Sequence, residues 1–247
     1  ATHSYVRGIF RRVREANPIL LAKCCHDIDF LLWLTRSRCS KLSSFGSLQW
    51  FRAENAPAGA GERCLDCKIV PQCPFSARDL YYVRRDWVAS FDVPEGMTLD
   101  DAILEELRTG LFGRCVYRCD NDVVDRQLLS MEMDDAVVVS LSMEMFSNDD
   151  FRRTHIWMTG GEIDGDERTL RVRKFRGGYE RTYDFSDIAG QSFHAGADLY
   201  LIDDFIQALY DPDHVFLTSI EDSIESHRIC YEAERSRRTG ETIRMDE

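Results

Sequence analysis

The chain has neither an excess of positive charge nor a long apolar run. Its 31 Lys and Arg residues are outnumbered by 43 Asp and Glu, which gives a net charge of -12. Affinity for nucleic-acid phosphates comes from clustered Lys and Arg, so this composition argues against general nucleic-acid binding. The longest apolar stretch ends at Arg36 and Arg38 and is shorter than the roughly 18 to 20 residues that span a bilayer. We therefore expect neither nucleic acid nor a membrane as a partner.

The sequence motifs of nucleotide and catalytic-zinc sites are also missing. Gly59-Ala60-Gly61 lacks a third glycine and follows Pro57 rather than a strand, so it cannot present backbone amides to a pyrophosphate. No P-loop and no His-Glu-x-x-His pair is present, and three histidines are isolated: His155, His214 and His227. No cofactor-binding residue is therefore predicted within the chain.

Nine cysteines form an odd set in a chain of 247 residues. No signal peptide is visible, and a chain of this size needs no disulfides to build a core. This pattern favours reduced thiols and a cytoplasmic protein.

Three of the cysteines lie in a long connection, residues 53–75, with the spacing C-x2-C-x5-C: Cys64, Cys67 and Cys73. This spacing resembles half of a structural zinc site, in which thiolates complete a tetrahedron. A fourth ligand is missing nearby, although Cys25, Cys39 or a histidine could supply it. Thiols that only fill space and a disulfide remain alternatives.

Hydrophobic periodicity predicts strands in the middle of the chain and helices at both ends. Leu129, Met131 and Met133 alternate with polar residues before the Asp134-Asp135 turn, which predicts a long antiparallel hairpin up to Met145. The other predicted strands lie within 41–51, 153–159, 168–175 and 179–185; the predicted helices cover 18–36, 76–87, 98–110, 197–210 and 219–238.

These elements predict an α+β fold: an open, mostly antiparallel sheet of about six strands with helices on one face. We expect a single domain over residues 1–240, including the cysteine loop, and a disordered tail over 241–247. The sheet face without helices would be covered in a homodimer, because Val138 and Phe146 indicate that it is partly apolar.

A helix that begins near Pro18 and continues to Leu34 carries an unusual group of titratable residues in an apolar, buried setting: Lys23, His26, Asp27 and Asp29. Burying such groups together is costly unless they pair or face a cleft, so this helix is the predicted place for proton chemistry. A histidine that is simply hydrogen-bonded in the core is the alternative.

A second candidate is His194, which precedes a helix together with the small residues Ala195, Gly196 and Ala197. Small residues allow close backbone approach, and a helix N-terminus favours an anionic or hydroxylated ligand. A histidine that only caps the helix is the alternative.

Six segments together resemble one protein family: HSYVRGIFRR (3–12), LLAKCCHDIDFLLWL (20–34), SSFGSLQWFRAENAP (43–57), ERCLDC with CPFSA (62–77), DNDVVDRQLLSMEM (120–133) and SIEDSIESHRICYEAERSRRTGE (219–241). They are similar to the C-terminal domain of the glucose-fructose oxidoreductase, inositol dehydrogenase and MocA (Gfo/Idh/MocA) family. The similarity extends along nearly the whole chain.

The resemblance implies a substrate-binding and dimerisation domain of an oxidoreductase that uses NAD or NADP on a sugar-like or polyol hydroxyl. It implies that His26 is the acid-base residue and that the substrate contacts are Lys23, Tyr5, Arg7, His194 and Asp198. The cofactor would bind an upstream Rossmann domain that this chain does not contain, so the chain alone is expected to be inactive. A non-catalytic dimeric binding or scaffold module is the alternative.

The chain departs from the family pattern at several positions. Many members have an aspartate four residues before the histidine, where this chain has Ala22. Ile9 and Phe10 stand where asparagine and tryptophan are expected, and Ala195 and Ala197 replace two glycines. The resemblance therefore implies an altered substrate or a weakened activity.

Overall fold

A computed structural model describes residues 1–147, 152–189 and 196–245. The chain, for which one domain over 1–240 was predicted, divides into two compact units. The first contains Ala1–Met145 together with Ile220–Glu247, and the second contains Phe146–Ser219.

Four helices of more than ten residues occur in the described residues: α1 (Cys25–Thr35), α2 (Leu99–Thr109), α3 (Ala197–Tyr210) and α4 (Ile220–Thr239). Shorter helical segments are Thr2–Arg7, Leu20–Cys24 and Arg78–Val83, which are π-helical, the 3-10 turns Ala53–Asn55, Val70–Gln72 and Val88–Ser90, and the single turns Val13–Ala16 and Ser186–Ala189. The strands are β1 (Cys39–Ser47), β2 (Arg126–Met133), β3 (Val138–Glu144), β4 (Arg153–Met158), β5 (Gly161–Asp166), β6 (Thr169–Lys174), β7 (Glu180–Asp184) and β8 (Ile243–Arg244).

The first unit is built on an antiparallel sheet with the order β3-β2-β1-β8. The predicted hairpin is confirmed. Leu129 and Met131 are buried in the core, whereas Leu128, the residue before Leu129, is 42% exposed. Helix α4 packs on β1 and against α1, and it buries Ile229 in the same core. Helices therefore cover one face of this sheet, as the sequence predicted.

The helix that contains His26 is only partly buried, so the prediction of a buried setting was wrong. The π-helical turn buries Leu20 and Leu21, but in α1 only Ile28 is fully enclosed. Trp33 is 64% exposed. Helix α1 packs against α4, and Leu31 and Leu32 are partly buried against the core, whereas Phe30 is exposed like Trp33.

The second unit contains a separate antiparallel sheet in the order β4-β5-β6-β7. The prediction of one sheet of about six strands was therefore wrong, whereas the α+β class and the antiparallel pairing are confirmed. Strand β5 lies between the predicted strands 153–159 and 168–175 and was not itself predicted. Gly161 and Gly165 allow close strand approach, because a Cβ at either position would lie 2.2 Å from Arg173 O or 2.6 Å from Thr169 O.

Residues 241–245, which belong to the predicted disordered tail 241–247, have a defined structure. Strand β8 pairs with Lys41 and Leu42 of β1, and Ile243 and Met245 are 5% and 3% exposed. Burial of these two apolar side chains offsets the conformational entropy that a free tail would keep.

Helix α3 leaves its apolar residues exposed: Leu199, Ile202, Phe205, Ile206 and Leu209. Its buried residue is Asp204, which accepts hydrogen bonds from His214 and from the Leu217 amide. None of the described helices has both the length and the apolar character required to cross a bilayer.

Candidate functional site

His26 lies in the first turn of α1, and its imidazole is exposed. Its Nδ1 lies 3.8 Å from the Sγ of Cys25. Lys23 is exposed on the turn before it, and Asp27 and Asp29 are half-buried. The imidazole and the ammonium are thus both accessible to a bound molecule, as the proton chemistry predicted for this helix requires.

Tyr5 connects the N-terminal segment to the helix of His26. Its hydroxyl donates to the backbone oxygen of Ala22 at 3.3 Å, and its ring stacks on Phe10. Burial raises the pKa of Tyr5 to about 12, so the phenol keeps its proton at neutral pH. The structure thus places Tyr5 behind the His26 helix, where it supports the backbone.

Arg7 lies in the interior, although the resemblance implied a substrate contact. It is 0% exposed, its Nε donates to Arg114 O at 2.8 Å and its Nη2 donates to Phe75 O at 2.6 Å. Arg114 in turn donates to Arg7 O at 3.1 Å. These bonds make Arg7 a link between three segments of the first unit rather than a residue on an open surface.

The two remaining predicted substrate residues belong to the sequence around α3. His194 lies outside the described residues. Asp198 is exposed in the first turn of α3, in the second unit. In the described part of the chain, Tyr5 therefore contacts the backbone of Ala22, next to Lys23, whereas Arg7 lies beside a different cluster of residues.

That cluster is formed by cysteines. None of the nine cysteines takes part in a disulfide. Cys64, Cys67 and Cys73 line one small cavity, and Cys115 joins them from a separate segment. As the side chains stand, no group of three or more His, Cys, Asp or Glu residues in the described ranges could hold a metal ion.

Sequence reasoning missed Cys115 as part of this cluster. An isolated antiparallel bridge between Arg63 and Arg114 brings it next to Cys64, because Cys64 N–H donates to Gly113 O and Cys115 N–H donates to Glu62 O. No local spacing relates these two segments, so only the C-x3-C spacing of Cys115 and Cys119 could have drawn attention to them.

His3 was also missed. Its ring stacks between Trp87 and Phe112 at centroid distances of 5.0 and 4.5 Å, and its Nδ1 lies 2.9 Å from the hydroxyl of Tyr81. Burial, with a smaller contribution from nearby positive charge, lowers the pKa of His3. This stacking identifies His3 as a packing residue of the first unit.

The aspartates of the DNDVVDRQ motif hold the backbone near β1 and the N-terminal segment. Asp125 is fully buried and accepts hydrogen bonds from the amides of Gln49 and Trp50, and Asp122 accepts one from the amide of Val13 at 2.6 Å. These aspartates therefore have structural partners in the first unit.

The described residues do not fit a dinucleotide. Both sheets are antiparallel throughout, so no parallel strand-helix-strand crossover is present in the described ranges to place a glycine loop under a pyrophosphate. Gly59, in the Gly59-Ala60-Gly61 sequence, has φ +84 and lies in the cysteine loop rather than after a strand.

No family model and no curated protein sequence matches the chain. Solved structures do share its fold. An oxidoreductase domain protein from Kribbella flavida has a TM-score of 0.60 at 11% identity, covering 96% of this chain and 54% of that one. A super-repressor mutant of Gal80p from Saccharomyces cerevisiae has a TM-score of 0.57 at 12% identity, covering 95% and 51%.

The aldose-aldose oxidoreductase from Caulobacter crescentus has a TM-score of 0.53 at 9% identity, covering 99% of this chain and 52% of that one. The chain thus spans about half the length of the solved structures that it matches. The resemblance to the C-terminal domain of the Gfo/Idh/MocA family is confirmed at the level of the fold.

Proposed function

We propose that this chain is the substrate-binding and dimerisation domain of an NAD(P)-dependent oxidoreductase that acts on a sugar-like or polyol hydroxyl. The observation that carries the proposal is the exposed imidazole of His26 at the start of α1, in a fold shared with half of several oxidoreductases. Free thiols fit the reducing, cytoplasmic setting that we propose for it.

Oxidation of a hydroxyl needs a group that removes the proton while the hydride leaves. In this proposal His26 accepts that proton, and the exposed Lys23 ammonium holds the same oxygen by a hydrogen bond. Tyr5 acts indirectly, because its hydroxyl is already used on the backbone of Ala22. Asp198 and His194 remain proposed substrate contacts.

The nicotinamide cofactor supplies the hydride acceptor, and we assign it to a Rossmann domain outside this chain. The antiparallel sheets of the described residues offer no dinucleotide site, and the matched structures are about twice as long as the chain. We therefore expect the chain by itself to bind neither NADH nor NADPH. Tight binding of either, measured by fluorescence titration of residues 1–247, would contradict this assignment.

The test of the acid-base role is the change His26→Ala in the intact protein. Loss of a general base lowers turnover by roughly 10²- to 10⁴-fold, measured as NAD(P)H formation over a panel of sugars and polyols. His155→Ala is the matched control, because His155 pairs with Glu162 at 3.0 Å on β4 and β5. The reasoning fails if His26→Ala keeps full turnover, or if the two variants lose it equally.

A second candidate function is a non-catalytic dimeric binding or scaffold module. It is supported by the shared fold with the Gal80p super-repressor mutant and by Ala22, which replaces an aspartate expected near His26. For either function we propose dimerisation through the outer face of the first sheet, where Phe45 and Val138 are 65% and 74% exposed. An intact protein that forms dimers in sedimentation equilibrium but transfers no hydride to either cofactor would favour this candidate.

A further inference from the structure

Four thiols meet in the first unit: three from the loop 53–75 and a fourth, Cys115, from a segment distant in sequence. Cys64 and Cys115 are buried, at 6% and 8% exposure, and Cys67 and Cys73 are half-buried. All four line the same small cavity, together with Arg7. The Arg63–Arg114 bridge fixes the Cys115 segment against the loop, so the convergence follows from backbone pairing rather than from side-chain rotamers alone.

Backbone amides are directed at two of the sulfurs. The N–H of Gly61 donates to the Sγ of Cys67 at 3.3 Å, and the N–H of Ala77 donates to the Sγ of Cys64 at 3.4 Å. These contacts help to fix the positions of the two sulfurs, although sulfur is only a weak acceptor. Thiolates are the form in which cysteine binds metal.

The guanidinium of Arg7 adds a positive charge beside the cavity. Its Nη2 lies 3.9 Å from the Sγ of Cys64, and its buried Nη1 has no hydrogen-bond partner among the residues that the structure describes. In the described residues Arg7 bonds to two backbone carbonyls, to this sulfur and to the side chain of Tyr81, and none of these partners is a carboxylate. A buried cation without an anionic partner is costly, so this site is set up for negative charge on the sulfurs.

We propose that Cys64, Cys67, Cys73 and Cys115 bind one structural zinc ion. The C-x2-C pair with two further cysteines supplies the four thiolates of a tetrahedral zinc site. A zinc ion with four thiolates carries two net negative charges, and Arg7 offsets one of them. The cavity has a volume of about 10 Å³, which leaves room for about one water-sized atom. It therefore suits a single ion better than an iron-sulfur cluster.

Zinc binding draws the sulfurs closer than they stand in the described structure, to Zn–S distances of about 2.3 Å. Cys67 and Cys73 lie in turns rather than in strands or helices, so their side chains and the loop around them can adjust. The ion would then fasten the long loop to the Cys115 segment. Such a tie would stabilise a long connection in which the helical structure is limited to two 3-10 turns, Ala53–Asn55 and Val70–Gln72.

The test is the metal content of the intact protein, purified from zinc-supplemented medium and measured by mass spectrometry together with acid-labile sulfide. We expect about one zinc per chain, because four thiolates complete one tetrahedral shell. Cys115→Ser should leave the protein with substoichiometric zinc after dialysis against a chelator. Cys119→Ser and Cys39→Ser should retain it, because neither thiol lines the cavity.

Three results would overturn the proposal: wild-type protein without zinc, iron with sulfide in its place, or zinc that is lost from Cys119→Ser but kept by Cys115→Ser. If Cys115→Ser fails to fold, cobalt reconstitution of the wild-type protein decides the question. Tetrathiolate cobalt gives sulfur-to-metal charge-transfer absorption and strong tetrahedral bands, and their absence contradicts the site. None of these readouts depends on the proposed oxidoreductase activity.

Discussion

Replacing Arg7 by lysine keeps the buried positive charge but removes the forked set of N–H donors. The native side chain holds Arg114 O through Nε and Phe75 O through Nη2, at 2.8 and 2.6 Å. A lysine ammonium can reach at most one of these carbonyls in the same packing. A hydrogen bond from a charged donor contributes about 1.5 to 3 kcal/mol, and a buried carbonyl left without a donor adds a further penalty. We expect the free energy of unfolding to fall by about 2 to 4 kcal/mol.

Urea-induced unfolding of the intact protein, followed by tryptophan fluorescence, measures this loss as a lower midpoint at unchanged slope. Arg14→Lys is the matched control, because Arg14 is exposed and the same change there should stay within about 0.5 kcal/mol. Wild-type stability in Arg7→Lys would refute the interior role. Combined with a raised KM, it would return Arg7 to the substrate contact that the resemblance implied.

Two further changes test the core and the charge network of the first unit. Leu129→Ala should lower the free energy of unfolding by about 3 kcal/mol, whereas Leu128→Ala, on the opposite face of β2, should lower it by less than about 1 kcal/mol. Urea unfolding measures both losses, and equal losses would contradict the register of β2. Hydrogen bonds from Arg11 and Arg114 lower the pKa of Asp120 in the folded protein. The stability that this carboxylate contributes is therefore complete above the unfolded pKa of 3.8 and is lost as the pH falls toward the folded pKa. Asp120→Asn should therefore lower the free energy of unfolding by about 1 kcal/mol near neutral pH, a modest value because the carboxylate is 45% exposed. The loss should become progressively smaller below about pH 4. If the stability difference between the two proteins stays constant in unfolding curves down to pH 2, this network is not its source.

Local pattern predicted those elements whose residues carry their own signal. The period-two alternation of Leu129, Met131 and Met133 predicted the hairpin because one face of β2 is buried and the other is open. The helix predicted from Thr98 is α2, and Thr98 caps it by accepting a hydrogen bond from the Asp101 amide at 3.2 Å.

Local pattern failed where a neighbour distant in sequence decides the structure. Glycines 161 and 165 have the composition of turns, and only the close approach of β6 makes them part of a strand. Residues 243–245 have no helical or strand period of their own, and they become ordered because β1 offers an edge and the core offers space.

For the candidate sites, the sequence alone determined which residues can do chemistry: a histidine and a lysine one helical turn apart, and three cysteines at the spacing of a zinc ligand set. Tertiary structure decided their setting. It left His26 exposed on α1, drew Arg7 into the interior, and brought Cys115 to Cys64 through the Arg63–Arg114 bridge. The physical reason is that residue type and spacing fix reactivity within a turn or two of backbone, whereas burial and the pairing of distant segments depend on how the whole chain packs.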